Sequence, residues 1–217
     1  MYRVVTAFAG MLACAGGAFA GDSYTRQSSS GGLSAYVGGH VGVSIANTEV
    51  GISGGGSVDG VGSHGVIGGV HAGLDYTLPA RVFFGVYGFY DWQSTQSSLS
   101  INGVFSGKVD FDGSYGVGGR LGYDFGKAKA YGLVGWRHTD LEWSCSCGSL
   151  AGLGLPSSLS GIDIGAGMAI PLTQGLELGI EGVWTKFNSE SIESGLGTIK
   201  IEPDQLSVMG RLSVRFD

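Results

Sequence analysis

Six charged residues have the types and positions needed to pair with one another inside a closed β-structure. Each lies on the polar side of a segment in which polar and apolar residues alternate. Charged side chains that leave water persist when they are paired, so we expect the basic and acidic members to meet in a shared interior. The network either fills that interior and keeps it closed, or lines a narrow, gated path for ions. The six are Arg120, Asp163, Glu177, Glu181, Arg211 and Arg215.

Cys145 and Cys147 form a second candidate site, in a long connection between two alternating segments. An exported chain meets an oxidising compartment, so a local disulfide between them is the favoured interpretation. Free or intermolecular thiols and a soft metal ion are the alternatives. Zinc normally takes four ligands, and only His138 and Asp140 lie nearby. We therefore predict no metal site and no cofactor.

Nucleophilic catalysis needs a serine, a histidine and an acid within hydrogen-bond reach. The segment His138-Thr139-Asp140 comes closest to this requirement, but the sequence contains no His-x-Ser pair. We therefore predict that the protein is not an enzyme and that His138 is a rim residue. His40 and His71 fall on the polar side of their segments, where we expect packing or hydrogen bonding rather than metal ligation.

Eight alternating segments would position these residues. In the last of them one face carries Leu212, Val214 and Phe216, and the other face carries Arg211 and Arg215. A period of two indicates a strand with different surroundings on its two faces. The fifth is the least regular, and there we place Val134 and Trp136 outward and Arg137 inward. The predicted strands are residues 33–45, 65–76, 81–92, 114–124, 129–138, 160–172, 175–187 and 206–217.

The connections between the predicted strands alternate between short and long, which is typical of an up-and-down transmembrane barrel with periplasmic turns and extracellular loops. An even strand number leaves both termini in the periplasm. A soluble eight-stranded barrel is the alternative, but such barrels keep their apolar side inside, where this chain has charges of both signs. We predict an all-β, eight-stranded antiparallel transmembrane barrel. The short connections are 77–80, 125–128 and 173–174; the long ones are 46–64, 93–113, 139–159 and 188–205.

The N-terminus has the features of a secretory signal: Arg3, an apolar run and small residues before a cleavage point between Ala20 and Gly21. A lipoprotein signal at Cys14 is the alternative, which the bulky Leu12 disfavours. The net charge of −6 argues against nucleic acid as a partner. The 43 glycines among 217 residues disfavour helices. The predicted divisions are a signal peptide (1–20), a flexible periplasmic lead-in (21–32) and a barrel (33–217).

Five stretches in this order resemble the small outer-membrane β-barrel proteins of alphaproteobacteria, the surface immunogenic, porin-like family related to OmpA-type barrels. They are AYVGGHVGVS (35–44), GVYGFYDW (85–92), GGRLGYDFGKAKAYG (118–132), GIDIGAGMAIPLTQGLELGIEGVW (161–184) and GRLSVRF (210–216). The resemblance implies an outer-membrane location in contact with lipid and lipopolysaccharide. It further implies that barrel-assembly machinery reads the terminal aromatic, here Phe216 followed by Asp217.

The same resemblance implies surface antigenicity and contact of the extracellular loops with host or other surface ligands. We therefore expect a structural and surface-interaction role in the cell envelope. A small-solute porin or weak channel is the alternative. A lumen filled by paired charges would favour the first, and a continuous file of water would favour the second.

Overall fold

The computed structural model describes residues 32–52, 55–58, 63–101, 105–145, 158–194 and 197–216. Ala20, Gly21, Cys147 and the side chain of Cys145 lie outside this description. The cleavage point and the disulfide therefore remain predictions. Among the described residues, no helix has the length and apolar character needed to cross a membrane.

The described part of the chain consists of ten strands and the turns between them. Eight are long, and the other two are short additions near the ends of their neighbours. The strands are β1 (Gly32–Ile52), β2 (Gly55–Val58), β3 (Ser63–Thr77), β4 (Val82–Ile101), β5 (Phe105–Asp124), β6 (Lys129–Cys145), β7 (Ser158–Thr173), β8 (Leu176–Phe187), β9 (Glu190–Ser194) and β10 (Gly197–Phe216).

The long strands form one closed antiparallel sheet in the order β1-β3-β4-β5-β6-β7-β8-β10. β10 pairs with β1 from Phe216 opposite Ala35 to Ile199 opposite Ile52, which closes the barrel. Beyond the barrel, β2 pairs with β1 and β9 pairs with β10. The predicted all-β, eight-stranded antiparallel barrel is confirmed, and closure leaves its body without an unpaired sheet edge.

Three tight turns lie at one end of the barrel, together with the first residues of β1 and the last of β10; we call this the turn end and the opposite one the loop end. In these turns Gly126 and Gly175 have φ of 87° and 91°, a left-handed conformation that glycine adopts without a Cβ penalty. The Gly175 carbonyl also accepts a hydrogen bond of 2.6 Å from the Arg215 backbone N–H, which ties this turn to β10.

The long connections differ from the prediction, because strands occupy much of them. β4 continues to Ile101 and β5 begins at Phe105, so most of the expected loop 93–113 is a paired hairpin. Glycine, asparagine and aspartate are depleted in strands and serine is common in turns, which is why this stretch resembles a loop in sequence. A hairpin already in register supplies the backbone partners, so tertiary context overrides local propensity.

The alternation of the strands sorts side chains between two environments. On the outer surface, Val41 and Val86 are 63% and 62% exposed, as expected of side chains that face lipid. Inward neighbours are buried. β6 follows the predicted orientation, with Val134 and Trp136 exposed and Arg137 2% exposed. The apolar face therefore lies outside and the polar face inside, the reverse of a soluble barrel.

The inward aromatic rings explain part of the glycine content. Five of these rings pack over a glycine of the next strand, where a Cβ would lie within 3.0 Å of the ring. The missing side chain leaves the space that the ring fills. The directly opposed pairs are Tyr36 with Gly73, Phe83 with Gly122, Tyr87 with Gly118, Phe89 with Gly116 and Tyr131 with Gly167.

Gly118 and its neighbour Gly119 allow a matched test of this packing. A Cβ at Gly118 would lie 2.5 Å from the Val134 carbonyl oxygen and 2.7 Å from Cζ of Tyr87. One at Gly119 would lie 3.7 Å from its nearest neighbour, the Gly85 carbonyl oxygen. We expect Gly118→Ala to lower the free energy of unfolding by about 1–3 kcal/mol and Gly119→Ala to change it little. Urea unfolding in detergent micelles measures both, and equal midpoints for the two variants would contradict the packing account.

Candidate functional site

The lumen of the barrel contains the main group of ionisable side chains. Among the described residues, five basic and five acidic side chains are largely buried there, and every one of them lies in at least one ion pair. They divide into three groups along the barrel axis. The residues are Arg120, Lys129, Arg137, Arg211 and Arg215, with Asp75, Asp91, Asp163, Glu177 and Glu181.

The group nearest the turn end is a chain of five alternating charges. Arg120 donates two hydrogen bonds to the Asp75 carboxylate, of 2.8 and 2.6 Å. Arg215 donates to Asp75 at 2.6 Å and reaches Glu177 at 3.4 Å. Lys129 then donates to Glu177 at 2.7 Å. Charge-assisted bonds of this kind are the strong ones, and they link β3, β5, β6, β8 and β10 across the lumen.

The middle group is smaller and contains aromatic rings. Arg211 donates a hydrogen bond to Glu181, and the Tyr131 hydroxyl donates to the same carboxylate oxygen at 2.9 Å. The Arg120 guanidinium lies 4.1 Å from the centre of the Tyr36 ring, close enough for a cation–π interaction. Aromatic rings and ion pairs together occupy this part of the interior.

The group towards the loop end is centred on Arg137. Its Nη1 donates to Asp91 at 2.6 Å, and its Nε lies 3.1 Å from both oxygens of Asp163. The Thr185 hydroxyl donates to Asp163 at 2.7 Å. His40 Nε2 lies 2.7 Å from the second oxygen of Asp91. Each carboxylate therefore has more than one partner, as buried charges require.

Two stacked histidines extend this group. His40 and His71 have ring centres 5.4 Å apart and Nδ1 atoms 3.2 Å apart, so one nitrogen donates and the other accepts. His71 Nε2 lies 2.8 Å from Ser213 Oγ. Both rings line a cavity of about 20 Å³, enough for a water molecule. Among the described residues, no group of three or more His, Cys, Asp or Glu could hold a metal ion.

The structure places all six charged residues singled out in the sequence in the lumen, but it pairs them only partly as expected. Arg211 meets Glu181 and Arg215 meets Glu177. Arg120 instead pairs with Asp75, and Asp163 pairs with Arg137. The partners of these two therefore lie outside the predicted six, because alternation gives the face of a residue and not its height in the barrel.

Sequence reasoning left four charged members out of the network: Asp75, Asp91, Lys129 and Arg137. The signal for them was present, because each lies in the same phase of its strand as the inward residues. Lys129 was missed since it begins the strand with the least regular alternation. A systematic listing of every charged residue on the inward face would have included all four.

The buried pair Arg211–Glu181 allows a test of the network. Arg211→Met leaves a buried carboxylate without its cation, which typically costs roughly 3–5 kcal/mol. We expect a clear fall in melting temperature. Adding Glu181→Met should recover most of the loss, because well-packed apolar pairs often replace buried ion pairs without penalty.

The matched control is Lys127→Met, which removes a cation from an exposed turn position. It should leave the melting temperature of the barrel, followed by heat-dependent gel mobility, unchanged. An Arg211→Met barrel that melts with the wild type would show that this pair does not support the fold.

Comparison with solved structures shows what the fold is similar to. The outer membrane protein OprG from Pseudomonas aeruginosa is 13% identical, with 86% of this chain and 97% of that one covered and a TM-score of 0.51. Ail, the attachment invasion locus protein of Yersinia pestis, solved with the heparin analogue sucrose octasulfate, is 18% identical (82% and 98% covered, TM-score 0.37). The outer membrane protease OmpT from Escherichia coli is 8% identical (84% and 97% covered, TM-score 0.40). The OprG likeness supports the barrel fold.

A search of the curated proteins finds no match. The family model of the outer membrane protein beta-barrel domain matches residues 6–216, which includes every strand described above. An apolar outer surface, a charged lumen and closure of β10 on β1 agree with that match. The chain therefore belongs to the outer membrane protein beta-barrel domain family.

Proposed function

We propose that this outer-membrane barrel has a structural and surface-interaction role, in which it supports envelope integrity and presents its loop end to the exterior. The observation that carries this proposal is the filled lumen. Ten paired charges and the inward rings occupy the described part of the lumen, and a cavity among them, lined by His40, His71 and Arg211 among others, has a volume of about 20 Å³. An eight-stranded barrel is just wide enough for side chains to fill, so the interior acts as a core.

The proposed orientation places the turn end, and both termini with it, in the periplasm. Outer-membrane barrels have short periplasmic turns and longer extracellular connections, and β1 begins and β10 ends beside the short turns. A signal peptide at 1–20 with cleavage after Ala20 agrees with export. The four long connections then face outward, where host or other surface ligands would bind them.

The proposed partners follow from the same orientation. Lipid and lipopolysaccharide would contact the exposed apolar side chains of the outer surface. The barrel-assembly machinery would read Phe216, which is 57% exposed at the end of β10. The finer assignment to the surface immunogenic, porin-like barrels of alphaproteobacteria rests on the sequence resemblance.

The second candidate function is a small-solute porin or weak channel. Buried polar side chains continue from the charged groups towards the loop end. There Gln93 and Thr139 each donate a hydrogen bond to the Ser114 hydroxyl, of 2.8 and 3.1 Å. A polar lining along the lumen is what a water path needs. Conduction would additionally require the ion pairs across the lumen to open.

Single-channel conductance in a planar bilayer decides between these candidates. We expect the folded wild type to give no steps. Arg211→Ser should produce leak, because it removes a long side chain and a pairing cation from the filled lumen. Lys127→Ser, at an exposed turn position, is the matched control and should be silent. Steady steps from the wild type would contradict the closed-barrel proposal and support the porin.

A further inference from the structure

Three residues with the types of a catalytic triad lie together on the outer surface at the loop end. His138 of β6 and Ser160 of β7 are directly opposite in the strand register. A hydrogen bond of 3.0 Å joins His138 Nδ1 and Ser160 Oγ. The other ring nitrogen of His138 lies 3.6 Å from a carboxylate oxygen of Asp140, which is longer than a hydrogen bond, as catalytic contacts often are before substrate binds. The sequence predicts that His138 is a rim residue and that the protein is not an enzyme, because it contains no His-x-Ser pair. Strand register brings Ser160 to His138 from the neighbouring strand, and the activity proposed below departs from that prediction.

The surroundings hold the histidine ring in place at a boundary between two environments. The Trp136 ring is stacked on His138 with centres 5.8 Å apart, and the Tyr115 ring lies 5.2 Å away. Towards the turn end the outer surface carries apolar side chains such as Ile162, which is 54% exposed. Towards the loop end it carries the charged Asp140, whose side chain is 63% exposed. Aromatic residues are typical of the membrane–water interface. An acyl chain lying on the apolar surface would bring its ester to the height of Ser160.

Asn188, on the other side of the serine, is the residue that would donate to the developing negative charge. The Asn188 backbone N–H donates to the Ser160 carbonyl at 2.9 Å, so Asn188 stands across from Ser160 at the end of β8. Residues opposed in this way have Cβ atoms about 5 Å apart, and a side-chain amide can stabilise an oxyanion. The outer surface at the height of Ile162 is not wholly apolar, because the exposed Lys186 lies directly opposite Ile162. Lys186 adds a positive charge for an anionic group of the lipid.

We propose that Ser160, His138 and Asp140 hydrolyse carboxylic esters of membrane lipids on the outer surface of the barrel. Ser160 Oγ attacks the ester carbonyl carbon, and its proton passes to His138 Nδ1. The bond between that carbon and the alcohol oxygen breaks, and the alcohol leaves with the proton from His138. Water, activated by His138, then attacks the acyl–Ser160 ester. The Oγ–carbon bond breaks, Ser160 regains its proton and the fatty acid is released.

The roles of the three side chains differ. Ser160 and His138 touch the reacting atoms and are catalytic residues, whereas Asp140 is a positioning residue that acts through the ring of His138. The activity goes beyond the proposed structural function and does not depend on it. It requires neither an open lumen nor a ligand on the loops, so a silent or a conducting barrel could equally possess it.

The test uses the folded full-length barrel in detergent micelles and in proteoliposomes. A fluorophosphonate probe should label Ser160, with an Oγ–phosphorus bond formed and fluoride released, as mass spectrometry of the peptide would show. Fatty-acid release is then measured from a diacyl glycerophospholipid and, separately, from lipopolysaccharide. Release from either ester supports the proposal and identifies the source of the acyl chain.

Variants separate catalysis from structure. Ser160→Ala should lose labelling and reduce fatty-acid release to the level of protein-free micelles, and His138→Ala should lower kcat 100-fold or more. Asp140→Asn should lower kcat with KM unchanged. Thr173→Ala, at the turn end of the same strand, removes a hydroxyl far from the triad; it is the control and should retain labelling and turnover. All variants are first shown to be folded by heat-dependent gel mobility.

Two results would overturn the proposal. One is the absence of both labelling and ester hydrolysis in folded wild-type protein. The other is activity that persists in folded Ser160→Ala, which would place the reaction elsewhere. Neither result bears on the conductance of the lumen, so failure here and failure of the proposed structural function are distinguishable.

Discussion

Charges in a lumen too narrow for bulk water must find partners among the side chains of facing strands. This constraint organises the interior of the barrel. Arg137 holds Asp91 and Asp163, and Arg215 holds Asp75 and Glu177, so single cations join carboxylates from different strands. Arg137–Asp163 and Arg215–Glu177 join strands that are neighbours in the sheet, whereas Arg137–Asp91 and Arg215–Asp75 join strands that are not. Together these bonds fix the relative heights of the strands. The network therefore does in this protein what an apolar core does in a soluble one, because lipid occupies the apolar side.

Rings and glycines complete the filling between the ionic groups. The ring of Tyr87 lies over Gly118, and the ring of Tyr131 lies over Gly167. In each pair the ring fills the space that a side chain on the opposed strand would otherwise occupy. Interiors are close-packed, and a barrel of fixed strand number cannot expand to admit another side chain. The high glycine content thus has a packing reason inside the barrel as well as a conformational one in turns such as Gly175.

The outer surface follows a different constraint, because its surroundings change from lipid to water along the barrel axis. Most of it is apolar, yet His138, Ser160 and Asp140 meet where exposed apolar residues give way to polar ones. At that height these three side chains would have access to both a lipid ester and water. Neither the lumen nor the middle of the apolar surface offers both. The closed interior and the candidate chemistry outside it are compatible, since they use opposite faces of the same strands.

The sequence by itself determined the fold class, the strand number and the face of nearly every strand residue. A period of two is a local property, and only a lipid-facing barrel satisfies apolar residues on one face and charges of both signs on the other. Tertiary structure decided which residues meet. Arg120 pairs with Asp75, and Ser160 meets His138 across 22 residues of chain, because register and strand tilt set heights that no local pattern encodes. It also decided that the serine-rich residues 93–101 are strand, since pairing with β5 outweighs the preference of serine for turns.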